Sequence, residues 1–412
     1  MPNRIISFAS VLVPCLLLAA CADQADDPAP EAAPAIVDHG DGTFSYANAE
    51  GRDQSTTQQR GALTYAYAGQ ARYAWVPTPK TKLEYDVAPP ASTSEIDELG
   101  MLREDEDGSL WKVTGIEMDT LRAQFAAHAA GSEEVALGLD AERPFLRKVP
   151  LVEEPVGTHR TIEAHSWSNE SCGNHFYMND DDRAQVSPTG SPRRKAVVEI
   201  RVNGATQCTG TILRSQWVLT AAHCLFDAND VLIPRSQMTV KRWDGVDSSN
   251  LTLVNRFIDS GFTSPGVDPK DDWALLKLTS ALVAPFEDMD ISSASDSTLN
   301  GLAHANNIAF PQFAPECDNN DIGGTVDAMW NNTAGELGAL YSEKVNFKID
   351  GGPGHSGSPV FYCPASGDGS CSGTDAAFVI AVWSGWNGFE TTMVGAKGAS
   401  HHDSAIATMD NN

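Results

Sequence analysis

Residues 208–224 of the chain read CTGTILRSQWVLTAAHC, an apolar, strand-like run that ends in His223 and Cys224. Two further segments complete the pattern: residues 271–278 read DDWALLKL, and residues 351–360 read GGPGHSGSPV. Each segment alone has an ordinary interpretation, as a packed histidine, a capping aspartate or a glycine-rich turn. Together they supply a histidine, an aspartate and a serine that lies between small residues.

Ser356, His223 and Asp272 are the three residue types that acyl transfer requires. A serine nucleophile needs a base with a pKa near neutrality and a carboxylate that fixes the tautomer of that base. The glycines around Ser356 permit a tight turn, in which the backbone N–H groups of Gly354 and Ser356 can converge on a developing oxyanion. Asp271 is an alternative carboxylate, because it stands directly beside Asp272.

The three segments resemble the chymotrypsin-like serine endopeptidases, with TAAHC, DWALL and HSGSP in the chain order His, Asp, Ser. The resemblance covers residues 172–412, and the SGSP ending, with residues 181–183 (DDR), is most similar to the bacterial glutamyl-endopeptidase-like branch. It implies an all-β fold, a chymotrypsin-like double β-barrel with the site between the barrels. His223 would take the Ser356 proton and Asp272 would stabilise the imidazolium, while an acyl-enzyme forms. No cofactor and no metal is implied.

Six cysteines lie beyond residue 170, and they are Cys172, Cys208, Cys224, Cys317, Cys363 and Cys371. An even number in an exported chain indicates disulfides, although the sequence alone allows fifteen pairings. The family resemblance implies a Cys208–Cys224 bridge beside the catalytic histidine. With it we expect the bridges Cys363–Cys371 and Cys172–Cys317.

Residues near Ser356 bear on substrate preference. Asp350 stands six residues before the serine, where trypsin-like enzymes place the carboxylate that selects Arg or Lys, and it favours cleavage after basic residues. Glutamate-selective members carry a histidine on the strand after the nucleophile, but this chain has Trp383 followed by Ser384, so strict glutamate selectivity is not expected. The residue preference before the scissile bond therefore stays open.

His355 directly precedes Ser356. It stands where trypsin-like zymogens carry an aspartate that takes part in activation, and it is either a supporting group of the site or an exposed turn residue.

The N-terminus has the pattern of an export signal. A short basic segment precedes an apolar run, so residues 1–20 are predicted to be a signal peptide. Residues 18–21 (LAAC) resemble the bacterial lipobox, in which Cys21 becomes lipidated; an ordinary signal cleaved at the same place is the alternative. Residues 21–35 are rich in Pro, Ala and Asp and are predicted to be a flexible tether. We therefore expect a periplasmic, outer-membrane-anchored or extracellular protein.

Residues 36–165 contain no cysteine and no chemistry-bearing motif. Alternating stretches predict strands at 43–46 and 63–67, and a helix is predicted over 119–130, which makes this region α+β. Residues 104–107 (EDED) are predicted to form a solvated acidic loop. The catalytic family needs only the trypsin-like domain at residues 166–412, so we expect a pro-region that is removed near Arg160.

The chain has 412 residues, and 55 acidic residues face 28 basic ones, for a net charge of −27. That balance excludes a nucleic-acid partner, because phosphate neutralisation requires surplus Lys and Arg.

The adjacent His401 and His402 are expected on an extended segment, where they would point to opposite faces and form no metal site. The sequence thus predicts an exported, monomeric serine endopeptidase acting on proteins or peptides. A non-catalytic surface binding protein with a protease-like domain is the rival.

Overall fold

The computed structural model of the chain describes most of the predicted protease part and much of the N-terminal region. The described residues are 35–48, 51–78, 84–85, 100–131, 183–243, 250–262, 269–282, 287–311, 328–341, 343–372, 375–387 and 392–412. The predicted signal peptide, Cys21, the Cys172–Cys317 bridge and the predicted removal point near Arg160 all lie outside them.

Strands dominate the described residues, which confirms the all-β prediction. Before residue 132 the elements are β1 (Ile36–Asp38), β2 (Thr43–Tyr46), β3 (Thr57–Arg60), β4 (Leu63–Gln70), β5 (Tyr73–Ala74), β6 (Glu84–Tyr85), β7 (Met101–Glu104), β8 (Ser109–Ile116) and helix α1 (Met118–Gly131). Next come β9 (Ala184–Val186), α2 (Pro192–Ala196), β10 (Val197–Val202), β11 (Ala205–Arg214), β12 (Trp217–Thr220), β13 (Met238–Lys241), β14 (Asn250–Leu251), β15 (Leu253–Asp259) and β16 (Ala274–Leu278).

The last elements are β17 (Asp290–Ile291), α3 (Asp296–Gly301), β18 (Ala305–Ala309), β19 (Met329–Leu340), β20 (Lys344–Lys348), β21 (Pro359–Tyr362), β22 (Phe378–Asn387), β23 (Thr392–Lys397) and α4 (Gly398–Asn411). None of the helices that the structure describes has the length and apolar character needed to cross a bilayer. His401 and His402 lie on α4, so the prediction of an extended segment there was wrong.

The first barrel follows the strand order β13-β10-β11-β12-β16-β15. One residue, Thr252, separates β14 from β15, and since β14 pairs with β13 while β15 pairs with β16, this stretch closes the barrel. Alternating apolar side chains such as Val198, Ile200 and Ile212 fill its interior and are fully buried. β12 and β16 are antiparallel with Thr220 opposite Ala274, so the residues just after β12 and just before β16 meet at one end.

The second barrel is a closed ring of six strands in the order β22-β21-β18-β19-β20-β23, because β23 pairs with β22 as well as with β20. Its core contains Phe347, Val360 and Ile380, which are all fully buried. The loop between β20 and β21, which carries the third predicted segment, leaves this barrel on the side of the first one and returns to β21 at Pro359.

The N-terminal strands extend the sheet of the first barrel. β7 pairs antiparallel with β15, and β8, β4 and β3 continue the same sheet outward. Glu104, the last residue of β7, is fully buried. The prediction that residues 104–107 form a solvated loop was therefore wrong for Glu104, because Arg256 of β15 binds its carboxylate; Glu106 in the following turn is exposed.

Candidate active site

His223 lies in a short 3-10 turn, Ala222–Leu225, directly after β12. The chain turns there because β12 has reached the end of the barrel, and the Cys208–Cys224 disulfide fastens the turn to the neighbouring strand β11. The Cα atoms of the two cysteines are 6.0 Å apart, an ordinary separation for a disulfide. His223 is buried, so its ring has a fixed place in the wall of the site.

Asp272 lies between the 3-10 turn Pro269–Asp271 and β16, and its side chain is fully buried. Its Oδ2 atom is 2.7 Å from Nδ1 of His223, and its Oδ1 atom accepts a hydrogen bond of 2.8 Å from the backbone N–H of His223. The carboxylate therefore holds both the ring and the backbone of the histidine. With Nδ1–H donating to Asp272, Nε2 is the nitrogen left to act as a base.

The carboxylate bonded to His223 belongs to Asp272 and not to the alternative, Asp271. The Asp271 carboxyl group instead lies against Gly261, in the space that a Cβ on that glycine would occupy. Two adjacent residues therefore point their side chains to different places, which sequence spacing alone could not resolve.

Ser356 lies in the loop that joins β20 to β21, and two glycines with positive φ shape this loop. The φ angle is 92° at Gly354 and 80° at Gly357, a region that residues with a Cβ rarely adopt. A Cβ on Gly357 would also overlap the Thr220 hydroxyl and the Thr209 carbonyl of the first barrel. The glycines thus let the serine loop lie directly against the barrel that carries His223.

Hydrogen bonds fasten this loop to both barrels. The Ser356 carbonyl accepts a bond of 2.8 Å from the N–H of Thr209, which is next to Cys208. The Gly357 N–H donates to the Trp383 carbonyl of β22 at 2.7 Å. Ser356 itself is partly exposed, whereas His223 and Asp272 are buried. The nucleophile candidate is thus accessible, and its supporting groups are shielded from water.

The backbone N–H groups of Gly354 and Ser356 are the predicted oxyanion-binding donors. Within the described ranges neither group donates a hydrogen bond to the protein, while the neighbouring N–H groups of His355 and Gly357 are both engaged. Donors that are available in a turn fastened by neighbouring hydrogen bonds are suited to bind charge that develops on a substrate oxygen.

The predicted specificity residues Asp350, Trp383 and Ser384 are all buried. The Trp383 indole occupies the space next to Gly351, stands edge-on to Phe347 at 4.9 Å, and lies 5.5 Å from the His355 ring. Trp383 is therefore a packed wall residue beside the Ser356 loop.

His355 is buried and accepts a hydrogen bond of 3.3 Å at Nδ1 from the Gly352 N–H. The interpretation as an exposed turn residue was therefore wrong. The His355 ring instead helps to shape the loop that carries Ser356.

Two of the expected disulfides, Cys208–Cys224 and Cys363–Cys371, are present. The sulfurs of Cys208 and Cys224 lie close to His223, which resembles a metal-ligand group. Because those sulfurs are bonded to each other, they carry no thiolate that could bind an ion.

Replacing Cys208 and Cys224 together by alanine is expected to lower the free energy of unfolding by about 3 kcal/mol, because the bridge closes a loop with a sequence separation of 16. Removing Cys363–Cys371, whose separation is 8, should cost less, about 2.5 kcal/mol. Urea unfolding of both double variants checks the order, and a larger loss for the shorter loop would contradict the loop-entropy argument.

Sequence reasoning missed a cluster behind Asp272. The next residue, Trp273, donates its indole N–H to Asp259 at 2.7 Å and contacts the tilted ring of His401 of α4, with ring centroids 4.7 Å apart. Burial raises the pKa of Asp259 to about 7 and lowers the pKa of His401 to about 3. The only sequence signal was a tryptophan directly after the motif aspartate. The cluster fixes the strand end that presents Asp272.

Asp259→Asn is expected to gain stability over the wild type as the pH rises from about 4 to about 7. Burial raises the pKa of Asp259 in the folded protein above the ordinary value of 3.8, to about 7. The wild-type carboxyl therefore contributes its full share of stability below pH 3.8, and this contribution is lost as the pH rises through about 7. Since one pKa unit corresponds to about 1.4 kcal/mol, the advantage of the variant should grow by about 1–4 kcal/mol. Urea unfolding at pH 5 and pH 8 measures it, and a pH-independent difference would contradict it.

Two comparisons with known proteins give matches. Residues 185–362, about two fifths of the chain, match the family model described as Trypsin. A solved structure entitled "Structure of Glu endopeptidase in complex with MPD" aligns with 57% of this chain and 98% of its own, at 16% identity and a TM-score of 0.42. The chain contains a trypsin-like serine protease domain. It is a serine endopeptidase, as the sequence predicted.

Proposed function

We propose that the protein hydrolyses internal peptide bonds through Ser356, His223 and Asp272 by way of an acyl-enzyme. The observation that carries this proposal is the pair of hydrogen bonds from His223 to Asp272, placed where the Ser356 loop meets the first barrel. The buried carboxylate leaves one histidine nitrogen to act as a base, and the partly exposed serine lies on the accessible side of the site.

In the first step Nε2 of His223 removes the Ser356 hydroxyl proton while Oγ attacks the substrate carbonyl carbon. Asp272 stabilises the imidazolium that forms, and the N–H groups of Gly354 and Ser356 bind the oxyanion. His223 then gives its proton to the leaving amine, and the C–N bond breaks to leave an ester on Ser356. Water, deprotonated by the same histidine, hydrolyses this ester and restores the enzyme.

The proposal includes export. Residues 1–20 act as a signal peptide, and lipidation of Cys21 anchors the enzyme to a bacterial membrane, with residues 21–35 as a tether. Support comes from the sequence pattern at the N-terminus and from the two disulfides, which form in oxidising compartments. Metabolic labelling with a fatty-acid analogue, compared between the wild type and Cys21→Ser, tests the anchor.

Cleavage-site profiling on a peptide library tests the proposed reaction. We expect cuts within peptides, with a consensus residue before the scissile bond; a basic consensus would assign selection to Asp350. Hydrolysis of esters alone would make the protein an esterase, and binding of peptides without cleavage would favour the rival, a non-catalytic binding protein.

A further inference from the structure

Residues 35–131, here called the N-terminal module, bind the protease domain through noncovalent contacts in addition to the covalent chain. β7 of the module pairs with β15 of the first barrel over four residues, from Met101 opposite Asp259 to Glu104 opposite Arg256. β15 already pairs with β16 on its other side, so the module covers the free edge of this strand. Uncovered edge strands present unpaired backbone groups and invite aggregation.

A buried ion pair crosses this junction. Glu104 of the module and Arg256 of the barrel are both fully buried and bonded to each other. Tyr73 of the module donates a hydrogen bond of 2.6 Å to the same carboxylate, and Arg235 of the barrel lies 3.4 Å from it. Among the described residues Glu104 is the one acidic partner of Arg256, so loss of the module would leave a buried charge without its counterion.

The module also binds the C-terminal helix α4. The Asn411 side chain accepts a hydrogen bond of 2.5 Å from the Ala62 N–H and donates one of 3.0 Å to Gln124 of α1. Leu121 of α1 and Ala407 of α4 share one small apolar core, and both are fully buried. The module therefore contacts the protease domain at two separate places, the β15 edge and the last helix.

A third contact reaches the vicinity of His223. The backbone of Thr78 exchanges hydrogen bonds with Asp227 and Ala228, four and five residues after the histidine, at 3.3 and 2.9 Å. The N–H of Ala74 donates to the Leu232 carbonyl in the same loop at 3.1 Å. The module thus supports the loop that follows the catalytic histidine.

We propose that the N-terminal module is a permanent structural component of the enzyme and stays bound when the chain is cut between the module and the protease domain. Removal near Arg160, which the sequence predicts, would then produce a two-fragment enzyme held together without a covalent bond. The module contains no cysteine, so the sheet, the ion pair and the α4 contacts hold it. This inference does not depend on the proposed catalytic chemistry.

The test uses the full chain with Ser356→Ala, into which a recognition sequence for a site-specific protease is inserted between residues 150 and 160. After cutting, we expect both fragments to elute together from a size-exclusion column and to separate only in urea. Elution of the two fragments in separate peaks in plain buffer would overturn the proposal, whatever the state of the protease fragment.

Two glutamates of the same short run provide matched variants. In the cut protein, Glu104→Gln should let the fragments separate at a clearly lower urea concentration, whereas Glu106→Gln, on the exposed turn, should match the parent protein. If Glu104→Gln does not fold, Tyr73→Phe, which removes one hydrogen bond to Glu104, should shift separation in the same direction. Equal urea dependence in every folded variant would overturn the assignment to the ion pair.

A second, independent inference concerns Thr209, which lies beside Cys208 and is fully buried. Its hydroxyl donates a hydrogen bond of 2.7 Å to the Gly354 carbonyl and accepts one of 2.9 Å from the Phe310 N–H. Its N–H binds the Ser356 carbonyl, as described above. One residue of the first barrel therefore binds two carbonyl groups of the nucleophile loop.

We infer that Thr209 is a positioning residue, whose hydroxyl fixes the peptide group after Gly354 and so aims the oxyanion-binding N–H groups. This inference rests on the proposed function. Because displacement of reacting groups by about 1 Å can cost about 100-fold in rate, Thr209→Val should lower kcat about 10–100-fold with little change in KM. Thr209→Ser, which keeps the hydroxyl, should restore it.

Thr211 provides the matched control on the same strand, because its buried hydroxyl has no hydrogen-bond partner among the described residues. Thr211→Val should keep the wild-type kcat. Rates are divided by the concentration of active sites, which is titrated with a covalent inhibitor, so that unfolded protein does not lower the measured kcat. An active wild type with an unchanged kcat in Thr209→Val would overturn the inference, whereas an inactive wild type would overturn the proposed function itself.

Discussion

Ser356→Ala is expected to reduce kcat for peptide hydrolysis by about 10⁶-fold, because it removes the hydroxyl that forms the acyl bond in the proposed reaction. The residual rate should reflect the oxyanion donors and substrate binding alone. KM should change little, since the methyl side chain of alanine leaves the backbone of the loop in place. Initial rates on a peptide substrate, at enzyme concentrations high enough to detect slow turnover, measure the loss.

Ser372→Ala is the matched control for this variant. Ser372 is exposed in the loop after Cys371, where its hydroxyl donates a hydrogen bond to the Asp375 side chain. The control should keep the wild-type kcat. Substantial hydrolysis by Ser356→Ala, beyond what contamination explains, would show that another residue is the nucleophile.

Asp272→Asn is expected to lower kcat by about 10⁴-fold at neutral pH. The carboxylate accepts two hydrogen bonds from His223, one from the ring and one from the backbone N–H. An amide has one accepting oxygen, so it can keep only one of these two hydrogen bonds. If its NH₂ group faces the backbone N–H of His223, two donors oppose each other; if it faces the ring, Nδ1 must become the acceptor and the proton moves to Nε2. Nε2 would no longer be free to take the serine proton.

Asp271→Asn is the control, because the Asp271 carboxyl lies against Gly261 and not against His223. It should retain most of the wild-type kcat. Rates of both variants on the same substrate, with circular dichroism to confirm folding, decide between the adjacent carboxylates. Similar losses in the two variants would contradict the assignment of the catalytic carboxylate to Asp272.

The site was more predictable from sequence than its surroundings. His223, Asp272 and Ser356 stand in short motifs whose spacing reflects local geometry: a turn after β12, a strand start at β16 and a glycine-shaped loop. The pairing of Thr220 with Ala274 brings the first two together, and both strands could be anticipated from their short, continuous apolar runs. The motif favoured Asp272 over Asp271, and the two hydrogen bonds between Asp272 and His223 agree with that choice.

Long-range pairings were not predictable in the same way. Glu104 looked like part of a solvated acidic run, because Arg256 stands 152 positions away and nothing local marks it as a partner. His401 was predicted on an extended segment but lies on α4, where its ring contacts Trp273, which is 128 positions earlier in the chain.

Covalent labelling with a fluorophosphonate probe, followed by mass mapping of the modified peptide, tests most directly whether Ser356 is a nucleophile activated by His223 and Asp272. We expect one adduct per chain, located on Ser356, formed quickly by the wild type and not by Ser356→Ala, and slowed severely in Asp272→Asn. An adduct on another residue, or no adduct on a folded wild-type protein, would contradict it.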